Sequence, residues 1–215
     1  PNDPLLSNQW YMGSNYVNAY LAYDLSFGSS NIVLAIVDDA VLTTHQDLSG
    51  VLWTNPGEIP NNNIDDDGNG YVDDINGWDA ADNDNDPNPP AAASNNTFTH
   101  GTHCAGIAAA QTNNNTGVAS IGSGVSLMAV KCTDDSNLSP TLNNTYGGIQ
   151  YAIASGADVV SMSFGGQGFS TTVQNLINLG SSQGIIFVAA SGNSNTTSQF
   201  YPAAYSNVIS VASTT

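Results

Sequence analysis

The chain has 215 residues, 40% of them hydrophobic, enough to bury one substantial core and too few to favour two, so residues 1–215 are read as a single domain. One Lys or Arg stands against 18 Asp and Glu, a formal net charge of -17, and this excludes nucleic acid as a partner because phosphate binding needs a basic surface. No apolar run is long enough to cross a bilayer, so no membrane span is expected, and the chain opens on Pro1 without a basic-then-apolar leader, as expected of a processed start.

In chain order, Val17 to Leu25 has helical spacing and Ile32 to Val37 is a short apolar run of the kind that forms a buried strand. Residues 54–99 break the rhythm with a long Asn/Asp/Pro/Gly-rich stretch, and a loop of that length in a compact domain is normally functional or disordered. Its acids concentrate between Asp65 and Asp86, which reads either as a solvated acidic run or as a metal site. Helical spacing returns at Thr102 to Gln111, Leu142 to Ser155 and Thr171 to Ser182; strands are expected at Val125 to Val130, Val159 to Met162, Ile185 to Ala190 and Val208 to Ala212. Strands alternating with helices predict an α/β fold, with a mostly parallel sheet covered by helices on both faces. In such sheets functional residues collect at the carboxyl ends of the strands.

Four segments carry chemically useful residues, three of them at such ends and one opening a helix. Asp38 follows the run Ile32 to Val37, and alone it would read as a turn residue. His100 opens the small-residue segment His100-Gly101-Thr102-His103-Cys104-Ala105-Gly106, which can lie close against a sheet. His100 and His103 would suit zinc, and a zinc hydrolase is the reading they would carry, but no third ligand of the usual spacing follows. Val160 to Gly166 runs from a strand into glycines, where another backbone can approach closely. Phe187 to Asn193 ends a strand in Ser-Gly-Asn, a pattern that by itself describes a turn.

Taken together, Ala-Ile-Val-Asp-Asp-Ala around Asp38, then His45-Gln46-Asp47-Leu48, His-Gly-Thr-His-Cys-Ala-Gly, Ser-Phe-Gly-Gly and Ala-Ser-Gly-Asn resemble the ordered motifs of the subtilisin-like serine peptidases. The resemblance runs from about Leu5 to the end of the chain and implies a three-layer subtilisin-like fold. It also implies a secreted endopeptidase acting on proteins and peptides through an Asp-His-Ser triad and an acyl-enzyme. On this resemblance His100 is the general base, Asp38 orients it, and Asn193 donates to the oxyanion. Ser163, Phe164 and Gly165 would border the primary specificity pocket, and Ser136, Asn137 and Leu138 would pair with extended substrate as an added strand.

Two departures stand out. Ala40 occupies a position where the family usually has Gly, and would be strained if the backbone there required positive φ; the Asp38-Asp39 pair resembles the kexin-like branch. The nucleophile motif Gly-Thr-Ser-x-Ala occurs nowhere in the 215 residues. The resemblance therefore implies an N-terminal two-thirds of a catalytic domain, with a further C-terminal segment and a propeptide as expected partners. The reading from another class is a non-catalytic fold of the same kind that binds calcium or protein.

Calcium is the expected metal. Asp65, Asp67, Asn69 and Asp73 stand at loop positions one, three, five and nine of an EF-type spacing, with Gly70 at six, the Tyr71 carbonyl at seven, and Asn76 where a bidentate Glu would stand. Asp74, or a carboxylate from elsewhere in the chain, is a candidate for the missing ligand. Asp82, Asp84 and Asp86 offer a second site. A third rests on the resemblance alone: Asp47 and Asn114 with the carbonyls of Thr112, Thr116 and Val118. Such ions would be structural. Cys104 and Cys132 are the two cysteines, and export favours a bond between them over two inert core thiols.

Overall fold

The computed structural model describes residues 1–93 and 97–213. Its centre is a sheet of six parallel strands: β1 (Val33–Asp38), β2 (Gly77–Asp79), β3 (Ser126–Lys131), β4 (Val159–Met162), β5 (Ile186–Ala190) and β6 (Val208–Val211). They lie side by side in the order β2-β3-β1-β4-β5-β6. Among the described residues α1 (Ala19–Tyr23) precedes β1, and α2 (His100–Ala109), α3 (Thr145–Ala154) and α4 (Thr171–Ser182) lie in the connections β2 to β3, β3 to β4 and β4 to β5. This is the α/β architecture expected from the alternation.

The central strands are apolar on both faces because both faces are covered. Leu34, Ile36, Leu127 and Ala129 meet Ala105 and Ala109 of α2. The alternate residues Ala35, Val37, Met128, Val130, Val160, Met162, Phe187 and Ala189 meet Ile149, Tyr151 and Ala152 of α3 and Leu176 and Ile177 of α4. Side chains alternate across a strand, so consecutive apolar residues feed two separate cores. β6 lies at the edge of the sheet, with Ile209 and Val211 exposed.

Side-chain caps start two of the helices. The Asn144 side chain accepts from Gly147 N at 2.9 Å to start α3, and Ser170 accepts from Val173 N to start α4. The α1 segment is shorter than the expected Val17 to Leu25, because Asn18 enters the left-handed region at φ 53 and breaks the helical run. The expectation of an irregular stretch over residues 54–99 is corrected by β2. Gly77, at φ +146, lets the chain run so close to β3 that a Cβ would sit 1.8 Å from the Ala129 carbonyl oxygen. Residues 94–96 of that stretch lie outside the described residues.

The disulfide expectation is also corrected: Cys104 and Cys132 are free thiols. The sheet separates them. Cys132 is buried against Gly148 and the α3 side, whereas Cys104 belongs to α2 on the opposite face. Burial pushes the Cys104 thiol up to about 11 and Cys132 further still, so both are thiols rather than thiolates at neutral pH.

Lys131, the chain's single basic residue, is fully buried at the end of β3. Its Nζ donates to Asp79 Oδ2 at 2.6 Å and also to Asp135, joining β2, β3 and the following turn. Burial pulls the ammonium down, but Asp135 and Asp79 outweigh it and hold the lysine above its ordinary value. Lys131→Met leaves Asp79 buried without a cation and is expected to cost about 3–5 kcal/mol. Urea denaturation measures this; a loss below about 1 kcal/mol, the range of an exposed pair, would show that the network is not a stabilising centre.

Candidate active site

β1, β4 and β5 are neighbours and parallel, so their carboxyl ends meet at one edge of the sheet, and all three expected motifs leave from that edge. Asp38 ends β1 and its side chain is 3% exposed. Its Oδ1 accepts from Asp39 N at 2.7 Å and from His100 Nδ1 at 2.7 Å. An ionised carboxylate only accepts, so Nδ1 carries the proton and the second ring nitrogen, Nε2, is left with its lone pair. The His100 side chain is 58% exposed, so that side of the ring opens to solvent. Burial pushes the Asp38 carboxyl up, while the hydrogen bonds from His100 and Asp39 N pull against it. For His100, burial acts downward, but the hydrogen bond and field of Asp38, joined by the field of Asp39, leave it above its ordinary 6.5.

The pairing depends on how closely α2 approaches β1. A Cβ on Gly101 would lie 2.4 Å from the Ala40 carbonyl oxygen and 2.8 Å from Asp38 Cβ. Thr102 Oγ1 accepts from Leu42 N at 2.9 Å, tying the same helical turn to the segment after β1. Ala40 is fully buried and does not adopt positive φ, so the strain considered for an Ala at this position does not arise. Cys104, one turn along α2, brings its Sγ to 3.9 Å from His100 Nδ1.

Beyond β5, Gly192 at φ +92 turns the chain, and Asn193 is exposed. Ser163, Phe164 and Gly165 follow β4; Phe164 and Gly165 line a cavity of about 310 Å³ with Leu142, Ile149 and Tyr205. A Cβ on Gly165 would strike Phe200 and the Tyr201 carbonyl oxygen. Ser136, Asn137 and Leu138 lie in an exposed turn: Ser136 N donates to Asp134 Oδ1 and Asn137 N to the Asp134 carbonyl, so those two amides are engaged within the chain. Leu138 is half exposed.

The three acidic regions differ. Carboxylate oxygens of Glu58, Asp65 and Asp67 lie within 4.8 Å of one another, which is twice a Ca²⁺–oxygen length of about 2.4 Å. Asn69 shares the turn, its Nδ2 donating to Asp67 and to buried Asp74, and its Oδ1 accepting from Tyr71 N. The Asp73 carboxylate instead accepts from Asn62 N and Asn63 N. Glu58, the chain's single glutamate, was not part of the expected loop; it reaches in from seven residues upstream and accepts from Asp66 N and Asp67 N.

Asp82 groups with Asp79 and Asp135, and Lys131 already supplies a cation to the latter two. Asp84 and Asp86 are exposed; Asp84 accepts from Asp86 N, and Asp86 from Asn88 N. Asp47 is buried, accepting from Asn114 Nδ2 at 2.8 Å and Val118 N at 2.9 Å. Thr112 and Thr116 lie in the same loop, with Thr116 N donating to Asn114 Oδ1. Asp3, which sequence reasoning missed, is buried beside them and accepts from Asn113 N and Asn114 N. No local spacing signals it, because 110 residues separate it from that loop.

Gly101→Ala is expected to push α2 from β1, costing about 1–3 kcal/mol of stability. It should also erase the far-downfield proton resonance of a His100 Nδ1–H bonded to Asp38. An unchanged resonance in a stable variant would mean that the close approach does not hold the pair.

The profile of the subtilase family (Peptidase_S8) matches residues 29–215. Thermitase of Thermoactinomyces vulgaris is 39% identical over 214 residues, covering 100% of this chain and 65% of the relative. A thermophilic serine proteinase of Bacillus sp. strain AK1 is 37% identical over 98% of this chain and 45% of its own length. The solved structure of a psychrophilic subtilisin-like protease, Apa1 from Pseudoalteromonas sp. AS-11, matches with TM-score 0.57 at 25% identity, covering 89% of this chain and 39% of that one. The chain thus spans 65% or less of the length of these relatives. On the ordered motifs, the parallel sheet and these likenesses, the chain belongs to the subtilase family.

Proposed function

We propose that this chain is the base-bearing part of a secreted serine endopeptidase, with the nucleophilic serine supplied by polypeptide outside these 215 residues. The observation that carries the reading is the 2.7 Å bond from His100 Nδ1 to a buried Asp38, with the far side of the ring open. In the reaction, His100 Nε2 takes the proton of a serine hydroxyl as its oxygen attacks the peptide carbonyl, then gives that proton to the departing amine. Asp38 keeps the proton on Nδ1 and stabilises the imidazolium formed in between. The Asn193 amide donates to the carbonyl oxygen as it becomes an oxyanion. Ser163, Phe164 and Gly165 bound the site on the β4 side, and Leu138 offers an apolar contact to extended substrate. Protein and peptide substrates are read this way, and so is a propeptide covering the same cleft.

Export is supported by the names of relatives, among them a halolysin-like extracellular serine protease of Natrialba magadii and an extracellular protease of Xanthomonas campestris. Structural calcium fits the donor set. Glu58, Asp65 and Asp67 gather oxygen ligands with no basic side chain to neutralise them, since Lys131 is engaged elsewhere. Asp47, Asn114 and Asp3 would hold a second ion with the carbonyls of Thr112, Thr116 and Val118. Bound calcium would lock loops and offset acid repulsion, and it takes no part in the peptidase chemistry.

Turnover needs neutral His100. Because its value is raised above 6.5, the acid limb of kcat/KM is expected above pH 6.5, activity falling as pH drops through it. The sign for stability is opposite. The protonated ring paired with Asp38 stabilises the fold below 6.5, and that contribution is lost as pH rises through the folded value. An acid limb below pH 6 would contradict the role of the Asp38–His100 pair.

Chelation with EGTA is expected to lower the melting temperature by about 5–10 °C for a site saturated about a hundredfold. Unchanged melting together with calcium-free elemental analysis would remove the metal. The decisive test of the enzyme reading is paired: residues 1–215, verified by mass, should hydrolyse no peptide, while the protein with its nucleophile segment should be phosphonylated on serine and silenced by His100→Ala. Peptidase activity of the 215-residue chain alone would overturn the assignment of the serine, and an inert complete protein would favour a non-catalytic calcium- or protein-binding fold.

A further inference from the structure

The geometry points to Asp39 as a positioning residue that sets His100 against Asp38 by holding the first turn of α2 through its main chain. This inference rests on His100 as the base. Asp39 is 3% exposed, and its carboxylate is turned away from the imidazole toward the backbone of the helix. Oδ1 accepts from Gly101 N at 2.7 Å and from Ala40 N at 2.7 Å, and Oδ2 accepts from His100 N at 3.3 Å. The residue that would ordinarily do this from its own helix, Thr99 at the N-cap, makes no side-chain capping bond. The first amides of a helix have no partner within it, so a cap from another element decides where the helix begins and how it sits.

Two adjacent acids thereby divide the work. Side chains alternate along a strand, so Asp38 and Asp39 leave the end of β1 in different directions. Asp38 meets the ring of His100; Asp39 meets its peptide group and the next. A residue held at both its main chain and its ring has little freedom left to lose when it takes up a proton. The missing Cβ of Gly101 is part of the same arrangement, since a methyl there would stand 3.0 Å from Asp39 Oδ1.

The charge of Asp39 matters as well as its shape. No basic side chain meets it, because Lys131 is engaged by Asp79 and Asp135. Its counter-charge is the positive end of the α2 dipole. The groups around His100 are Asp38 at the end of β1, Asp39 just after it and Cys104 from its own helix; His45, Asp47 and His103 line with His100 a second cavity, separate from the one beside Phe164. The field at the imidazole is thus set by two carboxylates rather than one.

The test uses the protein carrying residues 1–215 and its Asp39→Asn and Asp39→Ala variants, with NMR of the His100 ring and of the His100 and Gly101 amides. Asp39→Asn should lower the His100 pKa by about one pH unit, a shift that a merely structural cap would not cause, and Asp39→Ala should speed exchange of both amides at least about tenfold. Asp39→Glu should restore part of both. An unchanged ring titration in Asp39→Asn together with unchanged amide exchange in Asp39→Ala would overturn the inference. If the variants fail to fold, the wild-type amides decide: protection at His100 and Gly101 supports the clamp, and exchange at the unprotected rate refutes it. None of these readouts needs turnover. In the active peptidase, Asp39→Asn should lower kcat with KM unchanged, and loss of that effect with the ring shift intact would count against the catalytic reading rather than against the clamp.

Discussion

The contact between the carboxyl end of β1 and the first turn of α2 is the constraint on which the site depends. It needs a residue without a side chain at Gly101, because Ala40 and Asp38 occupy the space where a Cβ would go. It needs acceptors for amides the helix cannot satisfy, and Asp39 provides them. With both present, the imidazole of His100 reaches Asp38 without a long or mobile side chain crossing the cleft. The apolar cores serve the same end: Ile36 and Leu127 hold α2 on one face of the sheet, while α3 and α4 close the other.

A chain with 18 Asp and Glu and a single Lys or Arg must balance its buried carboxylates by several means. Asp79 has the chain's ammonium group. Asp39 has a helix terminus, and Asp47 and Asp3 have loop amides together with the side-chain amide of Asn114. Glu58, Asp65 and Asp67 converge on one another, and on the proposed reading a divalent ion completes them. Buried Asp38 has the His100 ring and Asp39 N, and buried Asp73 and Asp74 have loop amides and the Asn55 side-chain amide; the acids left over face solvent, where they are screened and favour solubility.

Much of the architecture was legible because the central strands are short apolar runs separated by turn residues, and Val159–Met162 and Thr171–Ser182 match their expected bounds. Asp38 was placed at a strand end and His100 on a small-residue helix, and the structure has Asp38 ending β1 and His100 starting α2. What stayed hidden depends on contacts distant in sequence. The start of α2 at His100, two residues before the expected Thr102, is set by an acid 61 residues away. β2 exists because Gly77 allows a backbone approach that no periodicity announces. Glu58 and Asp3 reach their loops across gaps that a fixed-spacing motif cannot express, and the two cysteines lie on opposite faces of a sheet whose topology alone assigns the faces.

The register of the sheet acts as a ruler for the site. Adjacent strands lie about 4.8 Å apart, so a group leaving β4 is displaced one such step from Asp38 and a group leaving β5 two, about 10 Å. Pairing of Val37 with Met162, and of Met162 with Ala189, fixes where along that edge each chain end emerges. These intervals come in units of whole strands and whole residues. Point changes within the strands therefore cannot stretch the gap between the ends of β1 and β5 by fractions of an ångström. Fine adjustment is left to the loops that follow the strand ends.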